Sequence, residues 1–240
     1  FFEGLGNDAG NALGDLGNQL VTFFEGTFPV ATLSPAEIDT ARADAERRLA
    51  ELVPVIEDID RAFYGIASSM GDELPSQQTL LAALNSMESF GTSRAATNAA
   101  DLNVPGGPVY QSITFQSATA AAVGIGGEFD GGSGWNLSSF TAGRPRDCEV
   151  LGGAVTAGFQ GGGATGLGIG FWTAPVDKLA GPSLTFALGV KYGVGATAAV
   201  FYTPDATEYQ GFVVTVGPGF AANAIAGGQA FTSETCPPPS

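Results

Sequence analysis

The stretch Phe186-Ala187-Leu188-Gly189-Val190-Lys191-Tyr192-Gly193-Val194 decides the fold. Every second residue is bulky and apolar, and the residues between them are Ala, Gly, Lys and Gly. A period of two puts successive side chains on opposite faces of an extended chain, so this is a pleated ribbon with one heavy side and one bare side. The same alternation recurs where Leu167, Ile169 and Phe171 stand against Gly166, Gly168 and Gly170. Val123, Ile125 and Phe129 stand against Ala122, Gly124 and Gly126. Phe212, Val214 and Val216 stand against Val213, Thr215 and Gly217. Glycine is a poor strand former, so here the pattern outweighs the composition.

A faint repeat organises these ribbons. Gly163-Ala164-Thr165 leads into Phe171-Trp172-Thr173-Ala174-Pro175-Val176-Asp177, and Gly195-Ala196-Thr197 leads into Phe201-Tyr202-Thr203-Pro204-Asp205. Each aromatic-Thr-Pro-Asp unit ends a strand, and another strand follows. Hairpins about 30 residues apart are the simplest reading. Six to eight such strands close into an antiparallel barrel or pack as a sandwich. Gly152-Gly153, Gly161-Gly162-Gly163 and Gly227-Gly228 read as hairpin turns, and Glu128, Asp130, Asp147 and Glu149 as residues in or near loops.

Upstream the period lengthens. Ser34 followed by Pro35 and Glu37 is a capping box with proline at the first helical position. Ile38, Ala41, Ala45, Leu49, Leu52, Ile56, Ile59, Phe63, Ile66 and Met70 then recur at steps of three and four, a heptad-like seam. Asp44 and Arg48, and Glu57 and Arg61, are ion pairs one helical turn apart. Pro54 is expected to kink or interrupt this helix, and Gly71 to end it. A further helix is expected from about Ser76 to Phe90. The fold class is therefore α+β: a three-helix segment or helical hairpin over residues 1–92, a linker over 93–108, an antiparallel Gly-rich β-domain over 109–232, and a Pro-rich tail over 233–240.

The first 25 residues form an unusual stripe. Leu5, Leu13, Leu16 and Leu20 recur at helical spacing, and Gly6, Gly10, Gly14 and Gly17 run alongside. Each Gly costs about 1 kcal/mol of helix propensity relative to Ala, so such a helix needs a partner surface. Its glycines would admit a close backbone approach. That surface is either the same protomer, a neighbouring subunit or a membrane.

Composition narrows the function. The chain holds 24 acids, 9 bases and no histidine, a net charge of -15, with 36 Gly among 240 residues. Residues 1–105 hold 16 of the acids and 5 of the bases. A Lys/Arg footprint for nucleic acid is missing, so nucleic acid is not an expected partner. Without histidine there is no Ser-His-Asp or Cys-His catalysis and no His-ligated zinc or iron. The glycine clusters lack the Lys-Ser/Thr of a phosphate loop, and no EF-hand spacing accompanies Asp130. No cofactor or metal is expected. Glu57, Asp58 and Asp60 cluster on a charged helix, where a solvated face is the simpler reading, and a carboxylate pair in the β-domain remains the one acid–base option.

Cys148 and Cys236 are far apart and without metal-ligand spacing, which favours a disulfide between them and an oxidising compartment. The chain opens on Phe1, which reads as a mature product, and no apolar run reaches the roughly 20 residues of a membrane helix. Trp135, Trp172, Tyr202 and Tyr209 fall near predicted turns, where aromatics either stack on glycans, meet a membrane interface or cap a barrel core. The expectation is a secreted or cell-surface, non-enzymatic structural protein that assembles with itself or with another surface protein. A pore-forming or porin-like barrel is the first alternative, and a lipid- or glycan-binding module the second.

Overall fold

A computed structural model describes residues 33–70, 73–88, 102–103, 108–123, 125–157, 162–190, 196–217 and 225–237. The Gly-striped segment of residues 1–25 lies outside them.

Helix α1 spans Pro35–Ser69, with Ser34 and Glu37 closing both halves of the capping box. It runs without interruption through Pro54. Proline removes one backbone donor, but Pro54 is exposed while Leu49, Leu52, Val55, Ile56 and Ile59 around it are buried. The loss falls on the solvent side, and burial on the other side keeps the helix continuous through it. Helix α2 spans Gln77–Ser86, shorter than expected, because Met87 takes an extended conformation and is buried. The Asp44–Arg48 pair forms. Arg61, expected to pair with Glu57, instead reaches Asp58 at 2.8 Å.

Ten strands follow. β1 (Leu102–Asn103) and β2 (Val109–Tyr110) pair within and beside the expected linker. The rest are β3 (Ser112–Val123), β4 (Ile125–Asn136), β5 (Cys148–Ala157), β6 (Gly162–Trp172), β7 (Gly181–Val190), β8 (Ala196–Tyr202), β9 (Tyr209–Val216) and β10 (Ile225–Thr235). These eight close into an antiparallel barrel in the order β10-β5-β4-β3-β6-β9-β8-β7. β3-β4-β5 and β7-β8-β9 are meanders, but the connections from β5 to β6, β6 to β7 and β9 to β10 each skip strands. A short helix α3 (Leu137–Thr141) follows β4, and a 3-10 turn (Val176–Lys178) follows β6.

Three local expectations change. Gly152-Gly153 and Gly227-Gly228 lie inside β5 and β10, not in turns, and Glu128 and Asp130 lie inside β4. β10 continues to Thr235, past the boundary at 232, because Ser233, Glu234 and Thr235 pair with Leu151, Val150 and Glu149.

The two faces of the ribbons take unequal places. Phe115 sits beside Ile169 and Ser133, Ser133 beside Glu149, and Glu149 beside Thr235. Glu149 and Thr235 are exposed, and Leu151 on the same face is 61% exposed. This heavy face is therefore the outside of the barrel. The opposite row (Glu234, Val150, Gly132, Gln116, Gly168, Thr215, Thr197) turns inward. Trp172, Phe201, Val213 and Ala230 meet there with Ala154, residues of strands that are not all neighbours, as only a lumen allows. An eight-stranded barrel is just wide enough for side chains. Rows of Gly, Ala and Thr leave room for the few large residues inside.

The outer apolar face then needs cover, and α1 supplies it. Ala41, Ala45, Leu49, Leu52, Ile56, Ile59 and Phe63 share one buried cluster with Leu80 and Leu84 of α2 and with Ile113, Phe115, Ile169, Phe171, Phe186, Val200, Phe212 and Val214. The helices and the barrel thus have one continuous core, placed outside the barrel wall.

Candidate functional site

Four aromatic residues and two cysteines were singled out by sequence, and the structure distributes them among separate places. Tyr202, at the end of β8, and Tyr209, at the start of β9, flank the turn that follows the second aromatic-Thr-Pro-Asp unit. Their rings meet edge to face with centroids 5.8 Å apart. Tyr202 donates its hydroxyl to Asp44 Oδ2 at 2.9 Å. Arg48 lies over the Tyr209 ring, its guanidinium carbon 4.2 Å from the centroid, a cation–π contact. Arg48 also donates to Asp44 Oδ2 at 2.7 Å, and Arg47 reaches Asp44 Oδ1 and, at 2.7 Å, Glu51. The Tyr110 and Tyr209 hydroxyls lie 3.0 Å apart.

The turn between these strands is pinned by its own chain. Asp205 Oδ1 accepts from the Thr203 and Thr207 hydroxyls at 2.6 and 2.8 Å, and Ala206 takes φ 58. The rigid turn fixes where the two tyrosines project, and one face of α1 meets them.

Electrostatics follow from partial burial beside charge. Burial pulls the Asp44 carboxyl upward, but hydrogen bonds from Arg48, Arg47 and Tyr202 more than offset it and hold it below the usual carboxylate value. Burial pushes the Tyr110 hydroxyl up to about 12. Tyr202 and Tyr209 are raised too, first by burial, with Asp44 adding to Tyr202 and Tyr110 to Tyr209. All three phenols stay protonated at neutral pH. The cluster is a clasp between helix and barrel: it has fixed donors and one carboxylate whose lone pairs are already engaged.

Trp135 is elsewhere. It packs edge to face on Phe115 and Phe140, and its indole donates to the Arg144 carbonyl at 3.3 Å. Trp172 is inside the barrel, donating to Thr114 Oγ1 at 3.0 Å and leaning on Phe201. Three of the four aromatics are thus on the outer face under helices, and one fills the lumen. Cys148 and Cys236 form a disulfide across 88 positions. It lies beside Val150 and Val176, tying the end of β10 to the start of β5.

Carboxylates expected in loops take structural parts. Asp147 Oδ2 accepts from the Asn136 N–H at 2.7 Å, and Asn136 Oδ1 accepts from the Val176 N–H at 3.1 Å. Sequence reasoning missed Tyr110 and the exposed strip around Leu151. Tyr110 stands just after the Val-Pro-Gly-Gly-Pro linker, a position that carries no periodic signal. Leu151 belongs to the Leu-Gly-Gly stretch that reads as a turn.

Among the described residues no helix is long and apolar enough to cross a membrane, and no group of His, Cys, Asp or Glu is placed to hold a metal ion. No protein-family model and no curated protein matches the chain. Among solved structures it is similar to the virulence-associated protein VapB from the intracellular pathogen Rhodococcus equi. Identity is 14% and the TM-score 0.32, over 51% of this chain and 98% of that one.

Proposed function

We propose that the chain is an extracytoplasmic, non-enzymatic interaction protein that assembles with itself, using its Gly-striped segment of residues 1–25. One observation carries this reading: among the described residues, the outer face of the barrel is exposed at Leu151, Glu149, Ser233 and Thr235 of β5 and β10, while helices cover it elsewhere. The lumen is filled by Trp172, Phe201, Val213 and Ala230. The heavy outer face lies under α1 over β6, β9, β8 and β7. Among the described residues, what remains open to a partner is the outer surface around Leu151, which is 61% exposed.

Two further observations support it. The Cys148–Cys236 disulfide suits an oxidising, extracytoplasmic compartment. Asp147, one of the carboxylates that sequence offered for chemistry, holds the Asn136 backbone, and Asp44 is engaged by two arginines and a tyrosine. The porin-like alternative would give the heavy face to lipid, and that face is occupied by α1. A ligand module would need room among the side chains that fill the barrel.

Light scattering on the purified chain tests the proposal. Assemblies should grow with concentration and disappear when residues 1–25 are deleted, with the circular dichroism of the barrel unchanged. A monodisperse monomer at every concentration would sink it.

A further inference from the structure

We infer that the Cys148–Cys236 disulfide is a redox latch: a dithiol reductant that opens it releases a strap of chain from one end of the barrel. This stands apart from the assembly reading and uses none of residues 1–25.

The strap follows from strand order. β6 ends at Trp172 and β7 begins at Gly181, yet β9 and β8 lie between them in the barrel. Residues 173–180 therefore cross the barrel's end, and their 3-10 turn meets β3, β4 and β10. Hydrogen bonds tie the first half. Ser112 Oγ donates to the Ala174 carbonyl at 2.6 Å, and the Val176 N–H donates to Asn136 Oδ1 at 3.1 Å. Val176 is fully buried and points into the mouth. A Cβ built at Gly134 would collide with Val176 Cγ2 and stand 2.9 Å from Val150 Cγ2, so the valine occupies the room that the glycine leaves.

The second half depends on the bridge. Leu179 and Cys236 pack against the buried group of Cys148, Val150 and Val176, and Glu234 accepts from the Ala180 backbone. The strap thus rests on the end of β10. That end is held from one side: the register with β7 stops where Thr232 meets Gly181, so Ser233, Glu234 and Thr235 pair with β5 alone. The bridge pins the same end to the start of β5. Glu234 Oε2 is buried without a hydrogen-bond partner, a cost that opening removes by giving it water. Cutting the bridge therefore frees the end of β10, and the strap loses the wall it leans on.

The exchange has a defined course. Cys148 is buried, whereas Cys236 is half-buried and precedes the exposed Pro237. An incoming thiolate attacks the Cys236 sulfur, and the Cys148 sulfur leaves and takes up a proton. The second thiol of the reductant then displaces the Cys236 sulfur, which is protonated in turn. The bridge gains two electrons and two protons, and the dithiol is oxidised to its own disulfide.

Hydrogen exchange read by mass spectrometry on the full chain, with and without dithiothreitol and in buffer lacking denaturant, tests the latch. Exchange over residues 174–180 and 233–235 should quicken about tenfold on reduction, while α1, β6, β8 and β9 stay within about twofold, as an opening confined to one end requires. The double variant Cys148→Ser, Cys236→Ser should show the same pattern without reductant. With the bridge intact, Val176→Ser should quicken 174–180 and leave 233–235 as they were. An unchanged strap on reduction, or a rise shared by the whole barrel, overturns the inference. Loss of the barrel's circular dichroism in dithiothreitol overturns it too, because the bridge would then hold the entire fold and not the strap.

Discussion

Tyr202 donates its hydroxyl to Asp44 across 2.9 Å and joins two elements 158 positions apart. The bond is the polar complement of the apolar seam: α1 is fixed along its length by burial, and near its start by this contact. Removing the hydroxyl with Tyr202→Phe leaves the ring buried and Asp44 held by its arginines alone. Hydrogen bonds to charged groups contribute about 1.5–3 kcal/mol, and Asp44 is partly open to water, so the expected loss is about 1–2 kcal/mol. Urea unfolding checks it; an unaltered midpoint would mean the bond is not formed in solution.

The same carboxylate sets a pH dependence. Asp44 is held below its ordinary value of 3.8 when folded. The unfolded chain therefore binds its proton first as pH falls, and the folded state loses stability through that window. The contribution is present at neutral pH, above the unfolded value, and vanishes as pH drops through the folded one. Asp44→Asn should cost stability at pH 7, and the gap from the unmutated chain should close below about pH 4. A gap that stays constant between pH 7 and pH 3 would assign the cost to something other than this charge.

Much of this architecture was legible because the period of two is a direct consequence of pleating. Phe186, Leu167 and Phe212 announced strands with unlike sides, and the capping box at Ser34 announced α1 to the residue. The placement of the sides was not legible. Alternation says that Ile169 and Gly168 face opposite ways, and it does not say which way is in. That is settled by closure: eight strands enclose too little volume for eight rows of large residues, so Gln116, Gly168 and Thr215 go inside and Ile169 goes under α1. The clasp escaped for another reason. Asp44 and Arg48 looked complete as a helical ion pair, and nothing local to them points to Tyr202 or Tyr209. Leu151 was hidden by its glycine neighbours, which serve here as strand residues held by pairing on both sides.

Reducing the disulfide should be costly. Cys148 and Cys236 are separated by 88 positions, and closing a loop of that size removes about 4–5 kcal/mol of chain entropy from the unfolded state in the simplest treatment. The double variant Cys148→Ser, Cys236→Ser should unfold at markedly lower guanidinium than the oxidised chain. It should match the unmutated chain measured in excess reductant. If reductant leaves the midpoint in place, the bridge is absent from the purified protein.

The crowded lumen makes a sharper test of which face points inward. A Cβ added at Gly170 would press on Thr114 Oγ1 and Trp172 Nε1, the two atoms of a buried hydrogen bond. Gly170→Ala should therefore cost about 1–3 kcal/mol through overpacking. Gly143→Ala is not a fair control, because φ there is 69 and a side chain is strained wherever it points. Gly65, on α1 with open space around it, is the better one, and Gly65→Ala should be neutral or stabilising by helix propensity. If both substitutions behave alike in thermal unfolding, the inward assignment of the glycine face fails.

Glu234 offers the opposite pH sign from Asp44. It lies on the inward face beside Val150, its Oε2 atom buried without a hydrogen-bond partner. Burial raises its carboxyl above the ordinary 4.5, and Asp177 adds to the rise, while Lys178 and the Ala180 backbone pull the other way. A carboxyl that is harder to ionise when folded keeps its proton longer in the folded state than in the unfolded one. Stability then declines as pH rises from about 4.5 through the folded value and stays reduced above it. Glu234→Gln removes the charge and keeps the shape. Its melting temperature should exceed that of the unmutated chain at pH 7, and the two should converge below about pH 4.5. An advantage equally large at pH 4 would trace the gain to packing, and a loss at pH 7 would show that the ionised carboxylate has found a partner among Lys178 and the backbone donors near the disulfide.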